Sequence, residues 1–156
     1  MLNGLFTGIL LGTLALLLIV AAAIDVRTFT ISNRLNLAVA LMAPFYWLSV
    51  PLQTGDIVLQ VAAALVVFCL FAAAFYAGFM GGGDVKLAAA LALWFPPYAT
   101  IKLLVIMSFV GGLLTLGVIG WHRWRRREGR PEIPYGVAIA AGGLAILTQR
   151  FLNQFA

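Results

Sequence analysis

The sequence predicts an all-α integral membrane protein, a bundle of about six transmembrane helices, on three observations. Apolar residues make up 63% of the chain, against about 45–50% in soluble domains. Charged residues make up 10%, against a soluble norm of about 25%. The apolar residues also fall into long runs, and about 20 residues at a 1.5 Å rise match a hydrocarbon core of ~30 Å. So little polar sequence leaves no room for a soluble domain, so residues 1–156 are expected to form one membrane-embedded domain.

The first segment, Leu5–Ile24, carries no charge and reads as a spanning helix. Its Ala21-Ala22-Ala23 end resembles a signal-peptide cleavage site. No Lys or Arg precedes the run, however, and it is longer than a signal core, so a retained helix is predicted. Leu35–Leu52 is a weaker second segment, with Asn36 near its start and Pro44 in its middle. Ile57–Met80 is long and strongly apolar. Val85–Tyr98 is short and meets Pro96-Pro97, which would stop a helix. Leu103–Trp121 is another clear span. Ile133–Thr148 is the last, with Pro134 in the first turn, where proline is tolerated.

Six crossings divide the basic residues unevenly. Arg27, Arg34, Lys86, Arg123, Arg125, Arg126, Arg127 and Arg130 fall on one side, and only Lys102 and Arg150 on the other. Basic residues of short loops stay cytoplasmic, so the eight-residue side is expected to face the cytoplasm and both termini to face outward. The net charge of +5 is then accounted for by lipid headgroups as partners, and no nucleic acid is called for. One cysteine, Cys69, inside an apolar run and expected to be core packing, excludes a disulfide framework. A single histidine, His122, argues against a histidine metal centre. We expect no metal and no cofactor.

Five acidic residues occur: Asp25, Asp56, Asp84, Glu128 and Glu132. A carboxylate at a membrane boundary is costly to desolvate and marks a candidate functional site. Asp25 ends the first run and Asp84 begins the fourth, so two crossings return them to the same boundary. Asp56 falls on the other side. The pairing requires the second segment to cross. Two neighbouring carboxyls share a proton, one activating water while the other protonates the carbonyl or leaving group, which is the chemistry of peptide hydrolysis. Gly81 and Gly83 before Asp84 would permit positive φ angles and close approach of an extended substrate. Taken singly, Asp84 also fits a helix cap, and Asp25 fits a surface partner of Arg27 or Arg34. Glu128 and Glu132 read as local ion partners in the basic loop, and His122 as an interfacial residue.

Asp25-Val26-Arg27 followed by Ile31-Ser32-Asn33 resembles the first aspartate motif of the type IV prepilin peptidases. Gly81-Gly82-Gly83-Asp84-Val85-Lys86 is similar to that family's second motif, Gly-x-Gly-Asp with a lysine two residues on, and Ile133-Pro134-Tyr135-Gly136 resembles its Pro-aromatic-Gly segment. The resemblance covers nearly the whole chain and rests on the two aspartate motifs together. It implies a membrane aspartic endopeptidase of the bacterial inner membrane that removes leaders from prepilins and pseudopilins at the cytoplasmic face. Asp25 and Asp84 would be catalytic, with Gly81, Gly83, Lys86 and Pro134 shaping the site, and pilus assembly machinery a further partner. The paired-cysteine segment associated with N-methylation in larger members is missing, so no methyltransferase activity is expected, and the compact form resembles the tight-adherence (Flp) branch. The alternatives are a non-catalytic component of a secretion or pilus system and a small proton-coupled transporter. A presenilin-like protease is a further one, though Ile24 rather than Tyr precedes Asp25.

Overall fold

The computed structural model describes residues 2–125 and 132–155. Of the basic loop, Arg126, Arg127, Glu128 and Arg130 lie outside the described residues. Among the described residues six helices follow one another: α1 (Leu2–Thr28), α2 (Asn33–Ser49), α3 (Thr54–Tyr76), α4 (Gly82–Ala92), α5 (Pro97–Trp124) and α6 (Tyr135–Phe155). No strand occurs among the described residues. Four stretches are long and apolar enough to cross a membrane: Gly4–Thr28, Thr54–Tyr76, Pro97–Trp124 and Tyr135–Leu152.

The two shorter helices carry the departures from the expected segments. α2 has 17 residues, about 26 Å of helix. Ser32 caps it, its hydroxyl accepting from the N–H of Leu35. Pro44 is accommodated inside it. α4 has only 11 residues, about 16 Å. The chain then covers the remaining depth through Leu93–Pro96, which is not helical. Such backbone survives at membrane depth only when protein covers it, and here Trp94 and Phe95 are fully buried. Trp94 donates from Nε1 to the Val39 carbonyl at 2.9 Å. Pro96-Pro97 therefore ends no long helix; it opens α5.

Helix ends follow local chemistry. α3 stops at Tyr76 rather than running to Met80, because Gly78 takes φ +78° and the Phe79 N–H reaches back to the Ala74 carbonyl at 2.9 Å, a Schellman-type stop. α1 runs one turn beyond Ile24, so Asp25 lies inside its last turn rather than at its end. At the head of α3, Asp56 accepts the Gln53 N–H at 3.1 Å, which makes it an exposed cap.

Hydrogen bonds fix the register of the bundle. At one end Thr7 on α1 donates to Ser49 on α2 at 3.0 Å. Trp47 on α2 donates to both Gln60 of α3 and the Leu93 carbonyl, each at 2.9 Å, and the Arg150 guanidinium of α6 lies over the Tyr46 ring. At the other end Asn36 on α2 donates to the Gly83 carbonyl at 2.9 Å. The α2–α3 pair thus leaves the end of α1 and returns to it. α6 lies against α1, α4 and α5. The core draws on every helix, with Leu14, Leu18, Val39, Val67, Leu91, Leu103 and Ile139 all buried. Large apolar side chains also cover the outside, Ile9, Leu65, Val105 and Leu116 among them, the inverse of a soluble surface and a match to lipid. Cys69, expected in the core, is exposed on this face of α3, because it falls on the side away from Ala64 and Val67.

Candidate active site

Both candidate aspartates lie at the heads of helices, for a common reason. The first N–H groups of a helix have no partner within it and carry its positive dipole end. Asp25, only 2% exposed, receives the N–H of Val137 at Oδ2 (3.3 Å) and that of Gly136. These are first-turn donors of α6, so a side chain of α1 caps a helix more than 100 residues away. Asp84 is 8% exposed and closes the head of its own helix. The N-cap of α4 is Gly81 and not Asp84, which stands at the third helical position and reaches back to the Gly81 N–H. Asp56 makes the same kind of cap in the open, whereas Asp84 makes it in a buried place facing a second carboxylate.

Asp84 lies outside the four spanning stretches, and its acidity is strongly altered. Burial pushes its pKa up, the nearby Asp25 charge pushes it further, and the Gly81 N–H opposes both, with the balance at about 7. The Asp25 charge is thus near enough to Asp84 to disfavour its ionised form.

Ile31, in the turn between α1 and α2, joins the two halves. A Cβ at Gly83 would lie 2.8 Å from the Ile31 carbonyl oxygen. At Gly136 it would lie 2.6 Å from Ile31 Cδ1 and 2.8 Å from Asp25 Oδ2. Separations under about 3 Å are not met by real side chains, so both positions need glycine for close approach. At Gly81 a Cβ would meet Asp84 Oδ2 at 2.8 Å. Positive φ, expected of Gly81 and Gly83, is not the reason: Gly81 has φ −75° and Gly83 is helical.

Lys86 points elsewhere. Two residues on along a helix is about 200° of rotation, so Asp84 and Lys86 occupy opposite sides of α4. The Lys86 ammonium donates to Asn33 Oδ1 at 2.8 Å and lines an apolar groove between α2, α3 and α4. Pro134 is half-buried just before α6, and its carbonyl accepts the Val137 N–H at 3.2 Å. It thereby sets the turn that presents Gly136 and Val137 to Asp25. Sequence reasoning did not assign site roles to Ile31, Asn36, Gly136 or Val137, although Ile31 and Gly136 stand inside motifs it quoted.

A model of the type IV leader peptidase family matches residues 12–116, about two thirds of the chain. No curated protein and no solved structure matches it. The matched stretch includes Asp25, Ile31, the Gly81–Asp84 turn and Lys86, while α6 with Gly136 and Val137 falls beyond it. With both aspartate motifs inside that match, the chain belongs to the type IV leader peptidase family.

Proposed function

We propose that this peptidase is an aspartic endopeptidase that trims the leaders of Flp-type prepilins and pseudopilins, with Asp25 and Asp84 as its acid/base pair. The observation that supports this reading is that two buried carboxyls, 59 positions apart in sequence, lie at one end of the bundle, where burial and the Asp25 charge push the pKa of Asp84 up to about 7. Asp84 starts as the acid and donates its proton to the peptide carbonyl, and Asp25 accepts a proton from the attacking water. As the C–N bond breaks, Asp25 returns its proton to the leaving amine and a hydroxyl of the tetrahedral intermediate returns one to Asp84, which restores the starting pair. Neither step calls for a metal. The excess of basic residues that the sequence gives to one side supports a cytoplasmic position for this end in a bacterial inner membrane, with both termini outside. The rest of the 156 residues serves as one peptidase domain, with no segment suited to methyl transfer.

A relay or transporter would place an acid in mid-span, and the middles of α1, α3, α5 and α6 carry none. The test is cleavage of a co-expressed Flp-type prepilin by wild type, Asp25→Asn, Asp84→Asn and Asp56→Asn proteins, each checked for membrane insertion. The two site variants should lose at least about 1,000-fold in rate, on the scale of removing one member of a catalytic acid/base pair. Asp56→Asn, which touches only an exposed cap, should cut normally. Normal cutting by Asp25→Asn or Asp84→Asn would refute the pairing, and no cutting by wild type would leave the scaffold role standing.

A further inference from the structure

At the end of the bundle away from the two aspartates, a cavity of about 220 Å³ lies between the head of α5 and the tail of α6. Lys102 of α5 and Gln149 and Arg150 of α6 line it, beside Phe95 and Pro96. Arg150 is fixed in place: its guanidinium lies 5.3 Å over the Tyr46 ring, and its Nη1 is buried with no hydrogen-bond partner. A buried cationic nitrogen without an acceptor is costly unless a counter-charge stands near. The Lys102 ammonium lies 5.7 Å over the Tyr98 ring. Among the described residues neither cation forms an ion pair with a carboxylate. Asp56, at the same end, is engaged by the Gln53 N–H at the head of α3. The first turn of α5 adds to the positive potential, since its N-cap Pro96 offers no side-chain acceptor. Two cations and a helix head thus converge on one cavity, and no described carboxylate answers them.

We propose that this cavity is an anion site for a phosphate group that carries no cation of its own, borne by an anionic lipid headgroup or free in solution. Guanidinium and ammonium groups pair strongly with phosphate oxygens, and the cavity has room for one such group. Lys102 and Arg150 stand on different helices, so a phosphate between them ties α5 to α6 at this end. Tyr98 at the rim is 66% exposed, and tyrosines of this kind rest at headgroup level. A lipid phosphate therefore reaches the cavity at its own depth. A zwitterionic headgroup would bring a further cation towards Lys102 and Arg150 and is disfavoured. The site lies apart from the carboxylates and does not depend on the peptidase reading.

The experiment is native mass spectrometry of the full-length protein in a neutral detergent, with phosphatidylglycerol, phosphatidylcholine and inorganic phosphate as separate probes. Wild type should hold one phosphatidylglycerol at least about tenfold more tightly than phosphatidylcholine. Lys102→Gln removes an exposed side chain and should weaken that binding about fivefold, the scale of one cation beside an anionic headgroup. The double variant Lys102→Gln/Arg150→Gln should weaken it about 25-fold. Arg34→Gln, at the other end of the bundle, should bind as wild type does. Thermal melts run in parallel: phosphatidylglycerol should raise the midpoint of wild type and leave that of the double variant unchanged. The same pattern with millimolar inorganic phosphate, and not with the lipid, would assign the site to free phosphate. Equal binding of the two lipids, undiminished binding by Lys102→Gln, an equal loss in Arg34→Gln, or binding of neither anion would overturn the site. If the double variant does not insert, Lys102→Gln alone decides, because its exposed lysine supports no packing.

Discussion

Asp56 and Asp84 make the same local contact and differ in everything beyond it. Each sits in the first turn of a helix and accepts the N-cap N–H. Asp56 is exposed, whereas burial and the Asp25 charge leave Asp84 with a pKa of about 7. The sign of the resulting pH dependence follows directly. Asp84 keeps its proton below about pH 7 and loses it above, so a reaction in which it donates that proton should run fully below this point and decline as pH rises through it. Cleavage rate measured from pH 5.5 to 8.5 checks this, and a rate that climbs steadily across the range would assign Asp84 the opposite role. In Asp25→Asn, loss of the neighbouring charge removes the second cause of the shift, so Asp84 should titrate at lower pH. Isotope-edited infrared spectroscopy of its carboxyl stretch reads this without requiring activity. The glycines give a second prediction at this scale. Gly136→Ala sets a methyl 2.8 Å from Asp25 Oδ2 and 2.6 Å from Ile31, so it should displace the carboxylate and reduce cleavage at least about tenfold, with a stability loss of about 1–3 kcal/mol. Gly120→Ala, whose Cβ faces open space, should leave cleavage unchanged and be neutral or up to about 1 kcal/mol stabilising. Cleavage assays and thermal melts in detergent compare the two.

At the scale of elements, α6 is the wedge that brings the site together. Its first turn holds Asp25. Two turns further on, Gly143 lies between Leu18 of α1 and Leu91 of α4, where a Cβ would stand 2.8 Å and 3.3 Å from their methyl groups. Gly142 next to it is pressed against Leu103 of α5. Without side chains at these positions, α6 enters between α1 and α4, and the distance between those helices is also the distance between the helices that carry the two aspartates. Leu18 and Leu91 are both fully buried, so neither can swing away. Gly143→Leu should therefore cost about 1–3 kcal/mol by overpacking. It should also lower activity in molecules that remain folded, since it moves α1 and α4 apart. A thermal melt and a cleavage assay on the same preparation test both halves, and an unchanged melting temperature would show that the wedge is looser than the structure has it. α4 contributes differently: its polar first turn is buried against α2 through Asn36, so the short helix is held at its head by hydrogen bonds and along its length by Leu87, Ala88 and Leu91.

For the whole molecule, the ends of the bundle are chemically distinct. One holds both aspartates together with Arg27, Arg34 and Lys86. The other holds Thr7, Trp47, Gln60 and Arg150. If the first faces the cytoplasm, a membrane-impermeant maleimide added to intact cells should label Gly55→Cys and leave Arg34→Cys unlabelled until the membrane is opened, both made in a Cys69→Ser background. The reverse pattern would invert the topology. Exposed apolar side chains on α1, α2, α3, α5 and α6 make the bilayer the solvent for the outer surface they form, while the apolar side chains of α4 are turned inward. The helical ends are the places where water reaches the chain, and peptide hydrolysis needs water at the carboxylates.

Composition and the spacing of apolar runs determined the class of this protein and the number of its helices, because the bilayer imposes a length and a polarity that single sequences display openly. Asp25, Asp84 and the glycines before Asp84 were legible for the same reason: a carboxylate in so apolar a chain stands out. The bounds of α4 were not, since Leu91–Phe95 is as apolar as a helix and only burial of Trp94 and Phe95 by neighbours lets the backbone unwind there. Nor was the direction of Lys86, which depends on α4 having begun at Gly82 and so turned Lys86 away from Asp84. The partnership of Asp25 with the first turn of α6 was equally hidden, because 111 residues separate Asp25 from Gly136 and nothing local couples them. Sequence, in short-range terms, decided which side chains reach the boundary; the tertiary structure decided which of them meet, because meeting depends on how closely α1, α4 and α6 approach, and that is set by glycines whose missing side chains take effect only against a neighbouring helix.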